Sequence, residues 1–273
     1  MTMQTQTSGH DVAADADVLR KLHVPGDPLI LANVWDPTSA LVVEAAGVRA
    51  IATASNALAP VNGYEDHCHI PADVAFGALR RIADAVKLPV TADLEDGYGL
   101  SPEEFVDRLK DAGACAANIE DTDHRAGVLV DADRHATRIA AIKAAARARG
   151  FEVVINARVD VHFHKGPVEE GLKRARKYFD AGADCVYPIF LSDASAIRDY
   201  VALGPTNVLY GPGTLTLRQL AGLGVARISV ASFLLRLLLK RLEVATSALL
   251  RFDDQGFGPE WQAGLLRMKL TNS

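Results

Sequence analysis

The sequence has few cysteines: Cys68, Cys115 and Cys185 stand far apart, with no CxxC pair. An odd, scattered set excludes a disulfide scaffold and reads as reduced thiols in a cytoplasmic protein. Long apolar runs are also missing. The richest stretch, SVASFLLRLLLKRLEVATSALL, is broken by Arg236, Lys240, Arg241 and Glu243. Charges at that spacing are costly in hydrocarbon, so the stretch reads as a buried or interface helix and not a membrane span. There is no basic block: 29 Lys and Arg face 34 Asp and Glu, a net charge of -5. That balance leaves no electrostatic footprint for nucleic acid or an anionic membrane. The polar opening residues lack the basic-then-apolar order of a signal peptide, and residues 1–22 are expected to be a flexible lead-in. No strand pattern runs into GxGxxG, no Gly-rich phosphate cradle occurs, and no nucleophile elbow is present.

What remains is ordinary globular composition, 49% hydrophobic and 23% charged, arranged as short apolar runs alternating with helical patterns. The candidate strands are 29–36, 50–55, 89–96, 114–121, 152–160, 185–190, 207–210 and 226–231. Near-continuous apolar runs suit strands buried on both faces of a parallel sheet. Between them, SPEEFVDRLKDAG shows Ser101 as N-cap and Pro102 at the first helical position. Helical patterns end in glycine just before the next strand at Gly47, Gly113, Gly182 and Gly224, the left-handed stop that turns a helix back into a strand. Eight strands about thirty residues apart predict an α/β fold of the (β/α)₈ type, a TIM-type barrel. Residues 23–273 are read as one such domain with a C-terminal helical extension.

In a parallel barrel the chemistry sits at the carboxyl ends of the strands, and polar residues gather there. Alternation along a strand sends Asp93 and Glu95 to one side, and does the same for Asn118 with Glu120 and for Asn156 with Arg158. Acids on adjacent strands raise each other's pKa unless a cation intervenes. A hard divalent ion with oxygen ligands, Mg²⁺, or Mn²⁺ in its place, relieves the repulsion for Asp93, Glu95 and Glu120. The competing role for strand-end acids is helix capping, which suits Asp36, Asp96 and Asp121. Arg158, inside an apolar strand, either pairs with a neighbouring acid or clamps a substrate carboxylate. The run Asp66-His67-Cys68-His69 has ligand-type side chains but no second ligand pair, which favours a solvated loop over zinc.

The segments AIATAS, GYED, TADLEDGYG, NIED and INARVD, in this order, resemble the isocitrate lyase and phosphoenolpyruvate mutase superfamily. The resemblance implies a (β/α)₈ barrel with its last helix exchanged between subunits in a dimer of dimers, a role that suits the 232–250 helix. It makes Asp93, Glu95 and Glu120 the Mg²⁺ ligands, directly or through water, and Arg158 the anchor of the substrate carboxylate. Ala54, Ser55 and Asn56 correspond to a substrate-binding segment, and Asp66 to an acid of a gating loop. Three segments depart from the pattern. The loop after strand 4 reads Thr122-Asp123-His124-Arg125 without the lyases' Lys and Cys-Gly-His or the mutases' Lys and Asn-Ser. Strand 6 ends Tyr187-Pro188-Ile189 without the lyases' glutamate, and strand 7 runs into Gly211-Pro212-Gly213. The resemblance implies a Mg²⁺-dependent lyase acting on a small 2-oxo or 2-hydroxy carboxylate through an enolate, with His124 as the candidate acid–base group. A P–C bond enzyme and a non-catalytic barrel binding a small acid or a protein are the alternatives.

Overall fold

The computed structural model describes residues 9–253 and 256–259. Its strands are β1 (Leu29–Leu31), β2 (Asn33–Val34), β3 (Ile51–Thr53), β4 (Val90–Asp93), β5 (Ala116–Glu120), β6 (Thr122–Asp123), β7 (Val128–Leu129), β8 (Val154–Val159), β9 (Cys185–Pro188), β10 (Asn207–Leu209) and β11 (Arg227–Ser229). All eight apolar runs become strands. The first divides into β1 and β2, whose partners differ: β1 pairs with β11, and β2 with β3. That division closes the ring. Parallel pairing runs β2-β3-β4-β5-β8-β9, the bridge Val186 to Thr206 carries it towards β10, and β10-β11-β1 completes it. The fold is therefore a (β/α) barrel, as the alternation predicts.

The helices follow their sequence signals. Ser101 accepts the Glu104 N–H and Pro102 opens Pro102–Asp111, while Asp36 forms a capping box with Ser39 on Pro37–Ala45. The joint glycines take φ between 78° and 97° at Gly47, Gly113, Gly182 and Gly224, open only at a cost to side-chain-bearing residues.

Two segments differ from expectation. The lead-in is not flexible throughout: Val12–Lys21 is a helix N-capped by Asp11, with Val12, Ala16 and Leu19 buried. Its Arg20 donates to Asp184 and to the Glu152 carbonyl, just ahead of β9 and β8, so this helix lies across the amino ends of the strands. Residues 1–8 lie outside the described residues, as do 260–273, which belong to the expected C-terminal extension. Asp121 was expected to cap a helix and does not. It is fully buried, accepting the Asp160 N–H at 2.7 Å, the Tyr178 hydroxyl at 2.6 Å and the Arg174 guanidinium at 3.0 Å. Asp96 is likewise no cap; it accepts the Tyr98 N–H within a turn.

The helix Phe233–Leu250 follows the last strand. Leu237, Leu238, Leu239 and Leu242 are each more than half exposed, an apolar surface of the kind that marks an interaction site. No helix among the described residues is long and apolar enough to cross a membrane.

The Asp121 network joins β5, the turn after β8 and helix Val168–Asp180. Removing a buried carboxylate from such a network costs about 3–5 kcal/mol, whereas removing one hydroxyl donor costs about 1 kcal/mol. Urea denaturation of Asp121→Ala should accordingly show a several-fold larger loss of stability than Tyr178→Phe. Equal losses would mean the network holds nothing together.

Candidate active site

A cavity of roughly 200 Å³ opens at the carboxyl ends of the strands, with Ala54, Ser55, Asn56, Asp66, Asp93, Glu95, Glu120 and Arg158 in its wall. Every expected site residue except His124 thus borders one space, and His124 sits directly behind it, hydrogen-bonded to Glu120 at 2.7 Å.

Asp93 closes β4. Its Oδ2 accepts the Ser55 N–H at 2.8 Å and its Oδ1 the Asn118 amide at 3.2 Å, so it ties β4 to the segment after β3 and to β5. Glu95 reaches the cavity by a different route from the expected strand alternation. The strand ends at Asp93 and Glu95 adopts a left-handed φ of 51°, while its carbonyl still accepts the Glu120 N–H at 2.9 Å. His67 and Cys68 are left-handed as well, at 68° and 60°. Non-glycine residues held in that region carry strain, and such residues concentrate at functional sites.

Arg158 takes the first of its two readings, pairing with neighbouring acids. Its Nε donates to Asp160 at 2.5 Å, its Nη2 to the other Asp160 oxygen at 3.1 Å, and its Nη1 to Glu120. A guanidinium has five N–H donors, so two remain while the side chain borders the cavity. Asp160 was not singled out from sequence, although the Arg-x-Asp spacing on one strand placed it within reach. Burial resists its charge, but Arg158 and the Thr122 hydroxyl outweigh that and hold its pKa low.

His124 is not a solvated loop histidine: its side chain is 4% exposed. Burial opposes its protonation, yet the hydrogen bond and charge of Glu120 prevail and raise its pKa. Glu120 is itself raised by burial, against the pull of Arg158 and His124. Together the two groups hold a proton tightly. The loop before them is not wholly solvated either. The His67 ring lies 5.1 Å from that of His124 and 6.5 Å from Phe163, and Phe163 stacks on Phe190 at 6.0 Å, forming an aromatic rim. The Cys68 N–H donates to Glu95 and its thiol to Asp96 at 3.2 Å.

Four carboxylates, Asp66, Asp93, Glu95 and Glu120, thus share the cavity with two arginines, Arg158 and the exposed Arg236. Three buried oxygens there have no hydrogen-bond partner among the described residues: Asn56 Oδ1, Asp66 Oδ1 and Glu95 Oε1. Unpartnered oxygen donors beside excess negative charge suit a hard divalent cation such as Mg²⁺. Glu120 has both oxygens engaged, by Arg158 and His124.

The closed parallel barrel with this cavity at its mouth belongs to the isocitrate lyase and phosphoenolpyruvate mutase superfamily. Residues 19–250 match the sequence profile of the phosphoenolpyruvate phosphomutase family, and the chain belongs to that family. It is 30% identical over 209 residues to a 2-methylisocitrate lyase of Salmonella typhimurium, covering 69% of this chain and 70% of that protein. A crystal structure from Burkholderia cenocepacia J2315, provisionally assigned as a phosphonomutase, is 40% identical with a TM-score of 0.80, covering 85% of this chain and 99% of that one. A phosphonopyruvate hydrolase solved with oxalate and Mg²⁺ shares the fold at 23% identity and a TM-score of 0.77, covering 88% of this chain and 89% of that one.

The Glu95 carboxyl is pushed up from 4.5 to about 7, by burial first and then by Asp66. Its native form therefore binds a proton more tightly than its unfolded form. Raising the pH from about 4.5 to about 7 costs stability in the metal-free protein, on the order of 3 kcal/mol in full. Glu95→Gln, studied with chelator present, should lose less stability than wild type between pH 5 and pH 8. Identical pH slopes would show that Glu95 does not repel its neighbours.

Proposed function

We propose that the protein is a Mg²⁺-dependent carbon–carbon lyase acting on a small 2-oxo or 2-hydroxy carboxylate. The observation that carries this reading is the convergence of the unpartnered oxygens of Asn56, Asp66 and Glu95 with four carboxylates in one small cavity. A non-catalytic barrel has no need of mutually repelling acids at its mouth.

Asp93, Glu95 and Asp66 would hold Mg²⁺, with Glu120 acting through water. When bound, the ion neutralises these acids and stabilises negative charge developing on the substrate. The two spare donors of Arg158 bind the substrate carboxylate, while Asp160 and Glu120 fix the plane of the guanidinium. Ala54, Ser55 and Asn56 line the same cavity and orient the substrate. His67, Phe163 and Phe190 shield the cavity from water. Holding Asp66 beside His67, the loop at 64–69 acts as the gate. The proton is carried by His124, whose basicity Glu120 raises, so that it returns a proton to the carbon released by bond cleavage.

A second reading, P–C bond chemistry, is favoured by the likeness to the Burkholderia cenocepacia protein. It requires a cation for the phosphoryl group. Arg125 borders a different cavity, between the β6–β7 hairpin and helix Ala132–Ala148, which leaves Arg236 for that task. Release of inorganic phosphate from phosphonopyruvate, set against cleavage of oxo and hydroxy diacids, separates the two readings.

Thermal melting with and without millimolar Mg²⁺ should show stabilisation of wild type that Asp93→Ala abolishes. An unchanged wild-type melting temperature would remove the metal from the mechanism. On whichever substrate turns over, His124→Gln should lower kcat by about 10²–10⁴ and leave Mg²⁺ stabilisation intact. Full turnover by that variant would assign the proton to another group. The exposed leucines of Phe233–Leu250 should be covered by a second copy in a homo-oligomer, a dimer of dimers. Light scattering at micromolar concentration should give a mass above one chain, and Leu238→Glu with Leu242→Glu should lower it; a monomeric wild type would refute this.

A further inference from the structure

Three side chains of a different chemical character also meet at the barrel mouth. Cys68, Glu95 and His124 each bring one ligand atom to a cluster in which all three atoms lie within 4.8 Å of one another. They come from the loop after Ser55–Val61, from the turn after β4 and from the loop after β6. A four-coordinate zinc ion with bonds of 2.0–2.3 Å places its ligand atoms about 3.3–3.8 Å apart, so a contraction of about 1 Å would complete the geometry. Glu95 is 1% exposed and its Oε1 has no partner among the described residues. His124 has Nε2 committed to Glu120 at 2.7 Å, which leaves Nδ1 for a metal. A carboxylate on the far ring nitrogen is the arrangement that orients metal-binding histidines.

We propose that Cys68, Glu95 and His124 form a site for a thiophilic divalent cation, Zn²⁺ or Cd²⁺, distinct in ligand chemistry from the oxygen-only Mg²⁺ set but sharing Glu95 with it. A thiolate and an imidazole select a softer ion than Mg²⁺ does. Binding displaces the thiol proton to solvent and breaks the hydrogen bond from Cys68 to Asp96. It pins the 64–69 loop to the floor of the cavity and leaves the fourth position for water. Taking Glu95 from the Mg²⁺ set makes the ion an inhibitor; that consequence rests on the lyase reading, whereas the site itself does not.

Titration of the full chain with Cd²⁺ should produce the ultraviolet thiolate-to-cadmium charge-transfer band, saturating at one equivalent. Cys68→Ser should abolish the band, and Cys68→Ala repeats the test should the serine variant misfold. Glu95→Gln and His124→Gln should each weaken Cd²⁺ affinity at least tenfold. Cys115 and Cys185 are fully buried and serve as internal controls. A band that survives in Cys68→Ser, or no band in wild type, overturns the site. Excess Mg²⁺ should shift the Cd²⁺ midpoint at least tenfold through the shared Glu95, and no shift overturns the sharing. Mg²⁺ stabilisation should persist in Cys68→Ser, so loss of the Mg²⁺ reading and loss of the thiophilic site would be seen in separate measurements.

Discussion

Arg158 is the cation around which the barrel mouth is built. It stands on β8 between Asp160 in the turn after that strand and Glu120 on β5, spending three of its donors on those two acids. Without it, Glu120 and Asp160 would be two carboxylates in an almost dry interior, and burial would drive both to take up protons. With it, Asp160 stays charged, the guanidinium plane is fixed and Glu120 is left with one oxygen for His124. The charge state of Asp160 and the placement of Glu120 against His124 therefore depend on a single side chain. Replacing a planar fork by a point charge would not reproduce this, because one ammonium cannot serve two acids and a substrate along fixed directions.

The acids next to Arg158 are divided between two tasks. Asp121 and Asp160 face inward and backward, closing hydrogen bonds that hold β5, the turn after β8 and helix Val168–Asp180 together. Asp66, Asp93 and Glu95 face the cavity and lack enough partners to balance their charge. One set stabilises the fold, and the other costs it stability through mutual repulsion and burial.

The fold was legible because apolar runs and helix stops are local signals. Each of the eight runs became a strand, largely buried on both faces apart from the exposed Ile30 of β1, and Ser101, Pro102 and Asp36 began helices where their side chains required it. The same local reading misplaced Asp121, since an acid ahead of a helix looks like a cap unless its long-range partners Arg174 and Tyr178 are known. Alternation brought Glu95 to the right side for the wrong reason, because a left-handed turn and not the pleat carries it there. Cys68 and His67 looked like a solvated loop because their partners, Glu95 and Asp96 for the one and His124 for the other, lie more than 25 residues away.

 For Cys68 the separation to Glu95 is 27 residues, and no pattern in the loop itself announces that contact.

The helix Phe233–Leu250 begins at the cavity and ends far from it. Phe233 and Arg236, in its first turn, line the same space as Asp93 and Arg158, while the leucines one and two turns on face outward. A rigid rod that touches both places transmits tilt from one to the other. Whatever covers the leucines also sets how wide the cavity stands on that side. In the proposed homo-oligomer, affinity for the proposed substrate would then become a function of the protein's own concentration: a dilute population and a crowded one, identical in sequence, would saturate at different levels of the same acid.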